Sequence, residues 1–340
     1  MIKSVHRKIG KVPTPMAGLA LGIASIFWCW ENFGSFHGNA QLIGAIIGGA
    51  LLSVVAIKFI LHPQLLLDDL AHPVVGSVAP TFAMGTMVVS ATVDHYSPAI
   101  GSALWIGAVV LHLIFLAVFT VHRARDFSLH HMVPSWFVPP IGIIVAAVSV
   151  PNNPVLREVA QYLQNFGMLC YAVMLPMMLY RFIFTHNVPD GSKPTIAIMA
   201  APASLSLAGY LTVMSNPSPV IVALLFGIAV LMTFLIYLAF FHLLRLPFSP
   251  GYAAFTFPMA IGATALFKLT NLMRHWNIDP YYVNQVHQLA NLELIVASII
   301  IGYVAVRYLW NYLPRGTAQN NDAGNNNIQK KESVVAHKAG

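Results

Sequence analysis

The sequence predicts an all-α integral membrane protein of ten transmembrane helices, paired as five tandem hairpins in a quasi-five-fold ring around a central pore. Three observations carry this. Of the 340 residues, only 9% are charged and 57% are hydrophobic, with a mean hydropathy of +0.71; a soluble domain is about 25% charged. Ten apolar runs follow one another along the chain, each near the ~20 residues that cross a bilayer. Proline recurs in alternate runs with a period of about 60 residues, long enough for two membrane helices and their loops.

The chain opens with a basic segment, 1–11, carrying Lys3, Arg7, Lys8 and Lys11. An apolar run follows at about 15–30. It has the look of a signal peptide, but no small-x-small cleavage site follows and further spans do, so it reads as the first membrane helix. The other runs lie near 40–61, 74–93, 98–121, 133–150, 157–180, 194–214, 219–243, 250–270 and 287–310. The membrane domain therefore covers 12–314. The tail, 315–340, is polar and rich in Asn, Gly and Lys, a composition expected to be disordered. Cys29 and Cys170 both fall in apolar runs and read as small buried residues, not as a disulfide framework.

Basic residues set the orientation. With ten spans both termini share one side, which then holds 15 of the 18 Lys and Arg residues. The other side holds Arg157, Lys268 and Arg274. The positive-inside rule places both termini in the cytoplasm of a cell (inner or plasma) membrane. A missed or extra helix would scramble this asymmetry, so it also supports the number ten. The net charge of +7 is scattered between apolar spans, which fits orientation and gives no nucleic-acid-binding patch.

The repeat lies in the odd-numbered spans. Pro15, Pro80, Pro140, Pro202 and Pro258 are separated by 65, 60, 62 and 56 residues. Pro176, late in span six, is the exception among the even spans, and Pro13 and Pro139 are rival choices of register. Five equivalent hairpins close as a ring without leaving distinct ends. Proline kinks a membrane helix and frees a carbonyl, which is tolerated where it is buried in protein or meets a wet cavity. The kinked helices therefore belong inside. They are rich in small residues such as Gly18, Gly22, Gly85, Gly142, Ala201 and Ala253, which allow close packing and leave a bore. The residues before the five prolines are Thr14, Ala79, Pro139, Ala201 and Phe257. Only Phe257 is large, so its ring is the expected plug of a small-walled passage.

Few other residues suggest chemistry. His112 lies mid-span in the fourth helix and Glu293 early in the tenth, near His287, Gln288 and Asn291. Each reads either as a hydrogen-bonded or interfacial structural residue or as a proton-coupling group. His112 has no obvious second membrane histidine to make a haem pair. No zinc spacing, P-loop or nucleophile elbow occurs, so neither an enzyme nor a cofactor is expected. The inner helices carry almost no ionisable side chain. Selectivity for anions would then come from width, backbone dipoles and a basic rim of Lys58, Arg123, Arg125 and Arg181.

The chain resembles the bacterial tellurite-resistance and dicarboxylate transporter family, which includes the plant guard-cell slow anion channels. The matching residues are P-T-P-M-A-G-L-A-L-G at 13–22, H-P-V at 72–74, A-P-A at 201–203 and F-T-F-P at 255–258. The resemblance covers about residues 12 to 312. It implies a quasi-five-fold helical pore, a homotrimer with one pore per subunit, and a gating phenylalanine on span nine, a position that Phe257 matches. The expected function is passage of small inorganic or carboxylate anions through a lipid bilayer. The alternative is a secondary carrier for C4-dicarboxylates such as malate, or for sulfite or tellurite, with His112 and Glu293 as the candidates for proton coupling.

Overall fold

Breaks in regular α-helix fall at or beside the repeated prolines of the inner segments. The computed structural model describes residues 2–185 and 188–312, and no strand occurs among them. The tail at 315–340 lies outside the described residues. The chain opens with α1 (Ile2–Ile9), α2 (Met16–Trp30) and α3 (Asn39–Leu61). Next, α4 (Pro63–Ala71) and the single turn α5 (Val75–Val78) lead into α6 (Thr81–Tyr96) and α7 (Pro98–Arg125). Span five alternates 3-10 turns, Pro134–Phe137 and Gly142–Ile144, with α8 (Val138–Ile141) and α9 (Val145–Val148). Then come α10 (Pro154–Phe184), a 3-10 run at Asp190–Ala200, α11 (Ala201–Val213) and α12 (Pro219–Leu243). A 3-10 run at Pro250–Phe255 precedes α13 (Phe257–His275), and α14 (Pro280–Tyr312) is last.

Eight segments are long and apolar enough to cross a membrane by length and composition. Two shorter apolar ones, Met16–Trp30 and Pro134–Val148, stand where spans one and five are expected. Burial separates odd from even. Val75–Tyr96, Asp190–Val213 and Pro250–His275 are 67%, 83% and 83% buried over their most apolar stretch, whereas each long even-numbered span is 33% buried or less. Met16–Trp30 and Pro134–Val148 bury most of their residues as well. The segments that carry the five repeated prolines are therefore the inner ones. The outer helices turn large apolar side chains outward, such as Ile46 and Ile60 on α3 and Val220 and Phe241 on α12. That surface suits lipid, which replaces water as the solvent of a membrane helix.

The prolines do not cut through regular α-helix. Pro15 and Pro80 are the N-cap residues of α2 and α6, and Pro202 and Pro258 sit in the first turns of α11 and α13. Pro140 lies within the four-residue α8. In a first turn the missing N–H costs no intrahelical bond. Four of the five thus stand at the start of the main α-helical part of their span, with a turn or irregular backbone just before, while Pro140 lies between the two 3-10 turns of span five. Asp190–Ala200 is the longest case, with 11 residues of 3-10 helix where such runs seldom exceed about four. Irregular backbone at membrane depth survives only when protein or a cavity surrounds it.

Around the inner set, α2 packs on α3, α6 and α13, and α11 packs on α9, α10, α12 and α13. Residues up to Ala305 form one compact unit. The described part of the second unit, from Val306, is the end of α14, where Asn311 Nδ2 donates to Arg307 O at 2.7 Å.

Candidate functional site

All five inner segments contribute to one cavity of about 380 Å³. Its wall takes Gly18 and Leu21 from span one, Thr81 from span three, Gly142 from span five, Leu205 from span seven and Ala254 from span nine. Small and aliphatic side chains dominate this wall, as the small-residue content of the odd spans leads one to expect. A second cavity of about 60 Å³ is lined by Ser25, Cys29, Asn32, Thr264, Lys268 and aliphatic side chains of spans three and five. Phe257 is the one residue common to the two linings.

The backbone around Phe257 explains its position. The 3-10 run ends at Phe255, and Thr256 caps α13 in place of a regular helical residue. Thr256 Oγ1 lies 2.7 Å from Ala253 O and 3.1 Å from Gly18 O, so its hydroxyl proton ties the break to α2. Opposite stands Gly22, where a Cβ would come within 2.4 Å of Thr256 Oγ1 and 3.2 Å of the Phe257 nitrogen. Only a hydrogen fits there. The segment carrying Phe257 is therefore held against α2, and the residue is 7% exposed.

Of the five prolines, Pro15, Pro202 and Pro258 line the larger cavity; Pro80 and Pro140 do not. Of the residues before them, Thr14, Ala201 and Phe257 line it, while Ala79 and Pro139 are turned away. In spans three and five the wall is made instead by Val78 and Thr81, and by Ile141 and Gly142. These positions stand one or two residues off strict repeat register. The sequence could not reveal this, because the turn between α5 and α6 in span three and the 3-10 turns of span five shift the phase of the side chains.

The expected basic rim divides into different roles. Lys58 lines the larger cavity in an ion pair with Asp69, Nζ to Oδ2 3.1 Å, and donates to Thr14 Oγ1 at 2.8 Å. Thr14 also donates to Asp69. Asp69, which the sequence reading did not single out, therefore neutralises the cation of that wall. Arg123 is buried, with Nη2 donating to Ala71 O at 2.7 Å, and Arg181 is buried with Nη1 donating to Thr185 O at 3.0 Å. Arg125 is exposed. Lys268, by contrast, points into the smaller cavity.

His112 and Glu293 line neither cavity. His112 is fully buried, and its Nε2 is 2.8 Å from Pro139 O, which requires the proton on Nε2. It joins α7 to the irregular backbone of span five. Glu293 is 3% exposed and takes part in no ion pair among the described residues. Its Oε2 fills the notch at Gly262, where a Cβ would lie 2.5 Å from it and 3.8 Å from Thr233 Oγ1. Among the described residues no group of three or more His, Cys, Asp or Glu is placed to hold a metal ion.

An all-α chain of apolar spans enclosing an internal cavity fits a multi-pass membrane protein of the channel or transporter class. The chain belongs to the voltage-dependent anion channel family, whose profile matches residues 16–309. It is similar to two uncharacterized transporters of Methanocaldococcus jannaschii. One is 25% identical over 60% of this chain and 67% of its own length. The other is 26% identical over 60% of this chain and 65% of its own length, so the match spans a little under two thirds of that relative. It is also similar to a tellurite resistance protein TehA homolog of Haemophilus influenzae, 23% identical over 75% of this chain and 81% of that one.

Proposed function

We propose that the protein passes small anions through the bore between its five inner segments, and that the ring of Phe257 closes it. The observation that carries this is the position of Phe257 as the shared wall of two cavities that are otherwise lined by different residues. A phenyl ring at such a point excludes water and ions by filling the passage with apolar volume. Membership of an anion-channel family supports the choice of anions. The wall of the larger cavity offers no uncompensated charge, so an ion is held weakly and leaves readily, as conduction needs. The same reading takes the five hairpins as a quasi-five-fold ring, the subunits as a homotrimer, the location as the cell membrane and both termini as cytoplasmic. The test is anion flux into proteoliposomes offered chloride, nitrate, sulfite or malate. Flux of anions well above that of potassium supports the reading; equal flux of cations and anions contradicts it.

One observation favours a second reading, a proton-coupled carrier of dicarboxylates, sulfite or tellurite. Glu293 is a buried carboxyl without an ion-pair partner among the described residues, and such groups in membranes serve proton relays. Proton uptake that accompanies anion flux and disappears in Glu293→Gln would establish it.

A further inference from the structure

The geometry points to an anion-binding station on the far side of Phe257 from the larger cavity, held by Lys268 Nζ and Ser25 Oγ and suited to one small monovalent anion such as chloride or nitrate. It rests on the reading that the bore conducts, and it adds to that reading where the ion dwells and what chooses its sign.

Four observations converge on the smaller cavity. Lys268 lines it, and among the described residues no carboxylate oxygen lies within 4.0 Å of its nitrogen. Lys58, the cation at the other cavity, is paired to Asp69. The protein therefore places one neutralised and one uncompensated lysine along the same path. Second, Ser25 is 7% exposed, lines the same cavity, and its Oγ has no hydrogen-bond partner among the described residues. A buried hydroxyl without a partner is unfavourable and is usually satisfied by something, and here the open side is the cavity. Third, apolar side chains make much of the rest of the wall (Trp28, Phe257, Ile261, Val88, Val145 and Val148), with Cys29, Asn32 and Thr264 beside them and no carboxylate among them. Where such walls limit screening by water, the lysine charge attracts an entering anion and repels a second cation more strongly than it would in bulk water.

The fourth observation is size. About 60 Å³ is room for a handful of waters at ~10–15 Å³ each, or for one small ion that keeps part of its hydration. A C4-dicarboxylate such as malate, with two charges against one lysine, matches neither the volume nor the charge. Glu293 is turned to the notch at Gly262 and does not line the cavity, so it does not supply the missing counter-charge.

The test has two independent arms. In the first, wild-type crystals grown in sodium bromide are examined by anomalous scattering. We expect a bromide peak within hydrogen-bonding distance of Lys268 Nζ and Ser25 Oγ, lost in Lys268→Gln, weakened in Ser25→Ala and kept in Lys268→Arg, whose guanidinium stays charged. No peak there in the wild type overturns the station, whatever the currents show. In the second arm, Phe257→Ala is recorded with and without Lys268→Gln. We expect the added change to lower the chloride-to-potassium permeability ratio by roughly tenfold, the scale of removing one partly screened unit charge, and Lys268→Arg to restore it. An unchanged ratio in a conducting double variant overturns the selectivity role. A silent Phe257→Ala with bromide at Lys268 leaves the station standing and counts against the gate alone.

Discussion

Lys58 Nζ lies 3.1 Å from Asp69 Oδ2 and 2.8 Å from Thr14 Oγ1, so the one lysine on the larger cavity's wall comes with its own counter-charge. Both partners are drawn from outside the inner set, α3 supplying Lys58 and α4 Asp69. The side chains are 5% and 25% exposed respectively, which makes the two halves of the pair unequal. Removing Asp69 leaves an almost fully buried ammonium. Removing Lys58 leaves a carboxylate that water still reaches.

We therefore expect Asp69→Asn to destabilise the protein more than Lys58→Met does. Orphaning a fully buried charge costs ~3–5 kcal/mol, and the partial exposure of Asp69 should bring the loss toward or below the lower figure. The double variant should recover most of the stability. Thermal melting of the detergent-solubilised protein, run as a double-mutant cycle, reads this directly. Equal losses for the two single variants would mean that the pair is not buried as described.

The contact of Gly22 with Thr256 gives a second expectation. An alanine there places a Cβ 2.4 Å from Thr256 Oγ1, and such overpacking costs ~1–3 kcal/mol. Because the strained residue adjoins Phe257, Gly22→Ala should also change resting anion leak. Gly107 is the control, since a Cβ there meets nothing within 4 Å. Gly107→Ala should be neutral or stabilising by up to ~1 kcal/mol. If both alanines behave alike in melting and leak assays, the close approach of α2 to the break is not a constraint.

Arginines 123 and 125 should separate in function. Arg123→Gln removes the hydrogen bond to Ala71 O and should lower the melting temperature at every ionic strength. Arg125 is exposed, so Arg125→Gln should leave stability unchanged and reduce conductance only in dilute salt, where the Debye length is long. A salt-independent loss of conductance in Arg125→Gln would show that it acts by contact and not through its field.

The orientation rests on the basic residues alone and is tested separately. Lys11 is exposed beyond the first span, and a Lys11→Cys variant should react with a membrane-impermeant maleimide only after the cells are permeabilised. Labelling in intact cells would reverse the topology.

Much of this architecture is legible in the sequence because lipid imposes strict rules. The ten apolar runs and the proline period stand out in the sequence itself, and the odd spans that carry the period are the buried ones. The details that failed to show depend on contacts between distant segments. Asp69 looks like an ordinary loop carboxylate until α4 folds back against Thr14 and Lys58, 55 and 11 residues away. Arg123 looks like a rim charge until its guanidinium finds the carbonyl of Ala71, 52 residues earlier. Lys268 looks like the polar end of a span, yet its long side chain reaches the smaller cavity beside Ser25. Periodicity gives the face of a helix to within a turn, and runs of 3-10 helix in spans five, seven and nine shift that face by an amount no pattern records.

The measurement that bears most directly on the central claim is single-channel recording of Phe257→Ala in planar bilayers, with its melting curve taken alongside. A phenylalanine that only fills a packed core costs ~3–5 kcal/mol when cut to alanine and opens no path. A ring that closes a bore between two existing cavities leaves, when removed, one continuous passage that water can enter. We expect Phe257→Ala to stay folded and to carry anion current far above the wild type, with Phe257→Leu in between. A Phe257→Ala protein that is folded yet silent to chloride, nitrate, sulfite and malate would contradict the claim that this ring is the closure.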